Sequence, residues 1–197
     1  MENARQAVEN FSAGRLKSHL AYWRSLTSDW NILSAISGVH LEFVDEVPPT
    51  RHDCVPYRFD ETKTAAIQAE LDLMLKKGII ERTVREPQQF VSPIFTRDKK
   101  DGGLRIILDL SDLNESIQYH HFKMDTFETA LTLVSKDCYM ASIDWKDAYY
   151  TVPVAASDRK FLKFRWEHDL TNLLHCLMAY LPPPDFSPRS LKSYSLI

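Results

Sequence analysis

Apolar residues recur at helical spacing in two short stretches near the start of the chain. Leu16, Leu20 and Trp23 would share one face of a first helix. A second helix is predicted between Asp29, whose side chain suits an N-cap, and Gly38, which suits a C-terminal stop. Together with a proline-containing link, these helices form an expected helical extension over residues 1–58.

A longer amphipathic pattern begins at Asp60, which suits an N-cap. Ile67 and Leu71 fall on one apolar face, and "KKG" at 76–78 supplies cations and a glycine stop. The period then changes to that of strands in "QFVSPIFTRD" and "LRIILDLSDLN", which are separated by a glycine-containing turn. The pattern therefore predicts a helix followed by a β-hairpin.

The second half of the chain carries three further patterns. A helix is predicted from about Thr126 to Val134, and a buried strand is predicted in "CYMASIDWKDAYYTVPV", ending at Asp144. "RKFLKFRW" (159–166) alternates apolar and cationic residues, which predicts a half-exposed strand. After Leu170 the sequence pattern changes: "TNLLHCLMAYLPPPDFSPRSLKSYSLI" contains three consecutive prolines and no sustained hydrophobic periodicity.

The bulk composition narrows the class of protein only slightly. With 24 Lys+Arg against 27 Asp+Glu the net charge is -3, so a nucleic-acid site must be a local basic patch. The 3 cysteines are far apart and form no CxxC pair, which argues against a disulfide framework or a zinc site. No apolar stretch reaches membrane-spanning length, so we expect a cytoplasmic or nuclear chain with no membrane partner.

Two features of the sequence could belong to a catalytic or binding site, and each also has a more common structural explanation. Asp144 at a strand end is more often a helix N-cap, but it also suits Mg²⁺, which takes one or two protein carboxylates. The basic turn "RDKKDGGLR" is more often a solvated charged turn, although its lysines and arginine would suit a triphosphate. The residues alone leave both alternatives open.

In their order and spacing, these segments resemble the reverse transcriptases of retrotransposons and retroviruses. The resemblance is carried by "VSPIFTRDKKDGGLRIILDLSDLN", "YHHFKMDTFETAL", "CYMASIDWKDAYYTVPV" and "RKFLKFRW", and it covers about residues 60–170. It implies an α+β fold in which residues 59–170 form the fingers and a partial palm of a right-hand polymerase, behind the helical extension.

The resemblance also implies roles for individual residues near the strand end. Asp144 matches the first catalytic aspartate and a Mg²⁺ ligand, and the backbone carbonyl of Trp145 would help bind the second metal ion. Tyr149 matches the aromatic residue that excludes a 2′-hydroxyl. Asp147 and Ala148 match a backbone platform beside the triphosphate.

The basic hairpin would complete the nucleotide site. The triphosphate contacts of the fingers match Lys99, Lys100 and Arg105. The implied partners are an RNA/DNA primer–template and dNTPs, with Mg²⁺ as the cofactor. Contact with other domains of a polyprotein is a further expectation.

The chain departs from the family pattern after Leu170. The family continues with an "LPxGLxxAPxxF" segment and a YxDD hairpin that supplies two more aspartates, and neither occurs here. With permitted codon choices, residues 171–197 can be read one base earlier as a string that contains "LPNGLSSAPRFF". We therefore expect residues 171–197 to be an aberrant tail, out of frame or disordered, after a truncated polymerase module.

The functional expectation follows from the missing acids. The chain is expected to be a fragment of a retrotransposon reverse transcriptase, an RNA-directed DNA polymerase that extends a primer 3′-hydroxyl. As an isolated chain it is expected to be inactive, because one carboxylate cannot hold a two-metal site. The alternative is a non-enzymatic remnant of a mobile element that binds nucleic acid or protein through the basic hairpin.

Overall fold

A computed structural model describes residue 11 and residues 13–99, 102–119, 127–139 and 148–175. It mixes helices with antiparallel strands, as the sequence predicts. Three short helices come first: α1 (Arg15–Ser18), α2 (Leu20–Leu26) and α3 (Trp30–Ser37). The Asp29 carboxylate accepts hydrogen bonds from the N–H groups of Asn31 and Ile32, and α3 ends at Gly38, which confirms its predicted cap and stop.

Helix α4 (Glu61–Lys76) confirms the longer amphipathic pattern. Its cap is the predicted one, because the Asp60 carboxylate accepts from the Lys63 N–H at 2.8 Å. Ile67 and Leu71 are buried on its inner face. The chain then turns through Gly78, whose φ of 68° is a left-handed conformation that glycine adopts without a steric penalty.

Five strands of the described residues form two antiparallel sheets. They are β1 (Ile80–Thr83), β2 (Ile94–Asp98), β3 (Leu104–Leu108), β4 (Lys163–Trp166) and β5 (Asp169–Leu173). Strands β2 and β3 form the predicted hairpin, and β5 lies between β1 and β4 in the other sheet. The remaining elements are α5 (Ser111–Asn114), α6 (Phe127–Leu133) and 3-10 turns at Ala148–Thr151 and Arg159–Phe161. Helix α6 confirms the helix predicted at about 126–134.

The segment 159–166 differs from the half-exposed strand that its alternation predicts. It begins with a 3-10 turn, and only its second half is a strand. Phe161, Leu162, Lys163 and Phe164 are all buried, so apolar and cationic positions do not alternate between core and solvent. The reason is that the loop after β1 covers the Lys163 side chain, whose ammonium donates to the Val84 carbonyl and pairs with the Glu86 carboxylate.

The expected boundary after Leu170 falls inside strand β5. Thr171, Asn172 and Leu173 are buried in the middle strand of the sheet, and the described chain continues to His175. Residues 176–197 of the expected tail lie outside the described residues. Strand β5 therefore continues without interruption past Leu170, where the sequence pattern changes.

The hydrophobic core lies between α4, the hairpin and the three-stranded sheet. Side chains from all three meet around the partly buried Tyr150; they are Leu71, Ile94, Leu108, Phe164 and Leu173. Because Ile94, Ile106 and Leu108 belong to one side of the hairpin, this packing fixes which hairpin face is turned to the core. On the other face Ile107 is also fully buried, whereas Arg97, nearer the tip, is exposed.

Candidate functional site

The structure describes only part of the site that the sequence predicts. Lys100, Asp144, Trp145 and Asp147 lie outside the described residues. Ala148 and Tyr149 open the 3-10 turn Ala148–Thr151. Lys99 and Arg105 lie on the β2–β3 hairpin, at its tip and in its second strand. The described part of the predicted site is therefore the hairpin and the turn.

The hairpin places its cations on one face. In the strand register Arg97 lies directly opposite Arg105, and at the tip the Lys99 N–H donates to the Gly103 carbonyl at 2.7 Å. Side chains alternate along a strand, so Lys99 falls on the same side as Arg97. We call the side chains of Arg97, Lys99 and Arg105 the cationic face. It lies on the side opposite the core-facing Ile106.

Arg97 was not among the residues that the sequence singled out. The signal that would have found it is the hairpin register, because counting outward from the turn pairs Arg97 with Arg105. Guanidinium forks suit the oxygens of phosphate. The arrangement is therefore suited to polyphosphate or a nucleic-acid backbone.

Aromatic packing supports the base of this face. Phe95, two residues before Arg97 on the same side, contacts Tyr57 edge to face with ring centroids 6.0 Å apart. The Tyr57 hydroxyl lies 3.5 Å from the Asp109 carboxylate, which also accepts hydrogen bonds from Ser111. The link that precedes α4 is thereby tied to the outer side of the hairpin. The face is consequently supported from outside as well as from the core.

The turn that carries Tyr149 is held by contacts from distant parts of the chain. The Tyr150 carbonyl accepts from the Gly14 N–H at 2.8 Å, and the Tyr150 side chain packs among core residues such as Leu71 and Phe164. Tyr149 precedes this anchored residue directly. The backbone position of the predicted sugar-contacting residue is therefore set by its neighbour.

Metal binding finds no support within the described part of the chain. Those residues contain no group of three or more His, Cys, Asp or Glu side chains that could hold a metal ion. The predicted ligands Asp144 and Trp145 fall outside the described ranges. Among the described helices, none combines the length and the hydropathy needed to cross a membrane.

A separate cleft of about 250 Å³ lies beside strand β4. Its walls include the rings of Tyr57, Phe59 and Trp166, together with Arg165 and Cys54. Burial raises the pKa of the Cys54 thiol above its ordinary value. The cleft therefore offers an apolar wall and a weakly reactive thiol, and none of the predicted site residues lines it.

Sequence comparison relates the chain to polyproteins of mobile elements and retroviruses. No family model matches the chain. The Gag-Pro-Pol polyprotein of Sheep pulmonary adenomatosis virus is 32% identical over 104 residues, which is 53% of this chain and 6% of that polyprotein. The Transposon Tf2-3 polyprotein of Schizosaccharomyces pombe is 28% identical over 110 residues, which is 55% of this chain and 8% of that polyprotein. The chain thus spans less than a tenth of the length of these relatives.

Solved structures with a similar fold include foamy viral enzymes. The foamy viral protease-reverse transcriptase in complex with dsDNA gives a TM-score of 0.59 at 18% identity, covering 72% of this chain and 29% of that one. The same enzyme in complex with an RNA/DNA hybrid gives 0.55 at 18% identity, covering 72% of this chain and 18% of that one. The chain is therefore similar over about half of its length to retroviral and retrotransposon polyproteins, and its fold resembles part of a foamy viral protease-reverse transcriptase. This agrees with the resemblance that the sequence motifs carry.

Proposed function

We propose that the chain corresponds to the fingers and the first part of the palm of an RNA-directed DNA polymerase. The observation that carries the proposal is the fold match over 72% of the chain to a protease-reverse transcriptase. The cationic face supports it, because two of its members, Lys99 and Arg105, match triphosphate contacts of the family. Their common side of the hairpin follows from the register.

On this proposal, the cationic face binds the phosphates of an incoming dNTP. Arg105 is fixed on β3 and offers a planar fork of donors, whereas Lys99 at the tip acts as a point charge. Arg97 adds a second fork directly across the ladder. Lys100, the next residue along the tip, would add a further positive charge. The predicted binding energy is largely electrostatic and therefore depends on salt.

The second half of the proposed site is the segment that leads into the 3-10 turn. Asp144 and the Trp145 carbonyl are the proposed Mg²⁺ ligands, with Asp147 and Ala148 beside the triphosphate and Tyr149 under the sugar. Bound Mg²⁺ would neutralise phosphate charge and lower the pKa of an attacking hydroxyl. A ring at position 149 leaves no room for a 2′-oxygen. The chain's own contribution is thus to orient the nucleotide and to select deoxyribose.

The isolated 197-residue chain is proposed to be inactive as a polymerase. Its sequence contains no YxDD motif, so Asp144 has none of the partner acids that the family uses. Primer extension with Mg²⁺ and dNTPs on a primed RNA template is expected to yield no product. Extension that Asp144→Asn abolishes would contradict the proposed inactivity and support the polymerase assignment.

A second function, nucleic-acid binding without catalysis, is favoured by the cationic face alone. Arg97→Ala and Arg105→Ala are each expected to weaken binding to a primer–template duplex and to lower the salt slope by about 1. Arg24→Ala removes the same charge from α2 and is the matched control. Fluorescence anisotropy over a salt series measures both quantities. Equal losses in the control and the hairpin variants would exclude a site on this face.

The sequence after Leu170 is proposed to derive from another reading frame. Within the described residues, 3 buried side-chain atoms have no hydrogen-bond partner, and two of them, Asn172 Oδ1 and His175 Nδ1, follow shortly after Leu170. Buried polar atoms in native proteins nearly always have partners. Two such atoms within four residues, one in β5 and one just beyond it, support a sequence that was not selected for this position. The nucleotide sequence tests this directly, since the proposal fails if the earlier frame does not encode "LPNGLSSAPRFF".

A further inference from the structure

The helical extension is hydrogen-bonded to the segment that follows the Tyr149 turn. The Val39 N–H donates to the Pro153 carbonyl at 2.9 Å, and the Ala155 N–H returns a bond to the Val39 carbonyl at 2.9 Å. Val39 and Val154 form a parallel bridge. The extension thus continues the backbone pairing of residues 153–155 instead of lying apart as a linker.

A carboxylate closes the same interface a few residues later. The Leu41 N–H donates to the Asp158 carboxylate at 2.8 Å, and the His40 ring lies 3.2 Å from the same oxygen. Ser157 donates to the other oxygen of Asp158. Asp158 is 9% exposed, so its bond to the Leu41 N–H is shielded from water. Residues 39–41 are therefore held to residues 153–158 by both backbone and side-chain hydrogen bonds.

The near end of the extension meets three elements at Gly14. Its N–H donates to the Tyr150 carbonyl at 2.8 Å, and the preceding Ala13 N–H donates to the Lys77 carbonyl at the end of α4 at 3.1 Å. His175, at the end of the described chain, packs against Gly14. Residues 13–14 therefore join α4, the Tyr149 turn and His175, two residues beyond the end of β5.

Only glycine fits this junction. Gly14 has a φ of +73°, and a Cβ placed there would lie 2.6 Å from His175 Nε2. The His175 ring is 7% exposed, so neighbouring atoms restrict its movement. A side chain at position 14 would meet both a strained backbone conformation and a steric clash. Either the ring or the Gly14–Tyr150 hydrogen bond would have to move.

We propose that Gly14 is a positioning residue for the nucleotide site, and that residues 13–41 clamp the turn that carries Tyr149. The role assigned to Tyr149 rests on the function proposed above. Gly14 touches no substrate in this scheme; it fixes the Tyr150 carbonyl, one residue from the proposed sugar contact. The extension is accordingly part of the nucleotide-binding module.

Amide hydrogen exchange on the full chain tests the clamp. Gly14→Ala is expected to speed exchange at Val39 and Ala155 by about tenfold relative to the amides in the middle of α4. Gly102→Ala, in the turn of the β2–β3 hairpin, is the matched control, because Gly102 has a φ of +82° and a Cβ there would meet nothing within 4 Å. The control variant places alanine at a positive φ without a steric clash, so no selective change in exchange is expected at Val39 or Ala155.

A double variant covers the case in which Gly14→Ala does not fold. His175→Ala removes the clashing ring, so the added cost of Gly14→Ala should shrink in that background or folding should be restored. An equal cost in both backgrounds, or a uniform exchange response, would overturn the clamp. Exchange is measured without nucleotide or template. The exchange result therefore does not depend on whether the chain is related to a polymerase. Conversely, refutation of the clamp would not refute the polymerase proposal.

Discussion

Replacement of the buried Lys163 is the most direct test of how this fold is held together. The side chain is 0% exposed, and its Nζ donates to the Val84 carbonyl at 2.8 Å and to Gln89 Oε1 at 3.3 Å. It also pairs with the Glu86 carboxylate at 2.6 Å. One ammonium group therefore ties strand β4 to the loop that leads from β1 towards β2.

The expected cost of Lys163→Met follows from what each partner loses. Methionine keeps most of the side-chain volume, so the cavity contribution is small. Gln89 is itself 0% exposed, and its Oε1 accepts hydrogen bonds from the Lys163 ammonium and from the Glu86 N–H. The variant removes the first of these bonds, which costs about 1–3 kcal/mol. The Glu86 side chain is 45% exposed and can turn to water, so its loss adds little. We expect a loss of about 2–3 kcal/mol in the free energy of unfolding.

Urea denaturation followed by circular dichroism measures this loss. Lys63→Met is the matched control, since Lys63 is exposed on α4 and its replacement should change stability by less than about 0.5 kcal/mol. If the two variants unfold at the same urea concentration, the buried ammonium does not hold the loop and the reasoning is refuted. A large loss in both variants would point to a general effect of removing charge.

Three further predictions concern single residues. Burial lowers the pKa of His175 to about 4, so the unfolded chain binds the extra proton between pH 6.5 and about 4, and stability falls as the pH falls through that window. Unfolding of His175→Gln should show a weaker pH dependence than wild type, and an equal dependence would contradict this environment. Asp60→Ala should cost about 1 kcal/mol through the lost cap of α4, and Asp60→Asn should retain most of it, as thermal unfolding would show. Iodoacetamide should alkylate the exposed Cys138 faster than Cys54, whose pKa is raised by burial; equal rates by mass spectrometry would contradict that environment.

The elements that the sequence predicted well are those set by near neighbours. The caps at Asp29 and Asp60 join a side chain to N–H groups two or three residues away, and the hairpin follows from its glycine turn. The register that brings Arg97 opposite Arg105 was also within reach of the sequence, because it depends only on the length of the turn. Local spacing was therefore enough for these features.

The β1–β5–β4 sheet was decided by contacts between distant parts of the chain. Ile80 pairs with Leu173, and Lys163 lies beneath a loop that contains Glu86, so no local pattern reports either contact. This is why the alternation in "RKFLKFRW" gave a wrong exposure for Lys163: a side chain is buried by what lies over it, and that depends on the tertiary structure.

In the candidate site, too, some features could be predicted from the sequence and others depended on tertiary contacts. The types of residue that suit phosphate and Mg²⁺ were readable from motifs, because the chemistry of a ligand selects carboxylates, lysines and arginines wherever they occur. The junction of Gly14 with Tyr150 and His175 was not readable, since it joins the two ends of the described chain. Motifs specify which groups are present, whereas only packing determines what holds them in place.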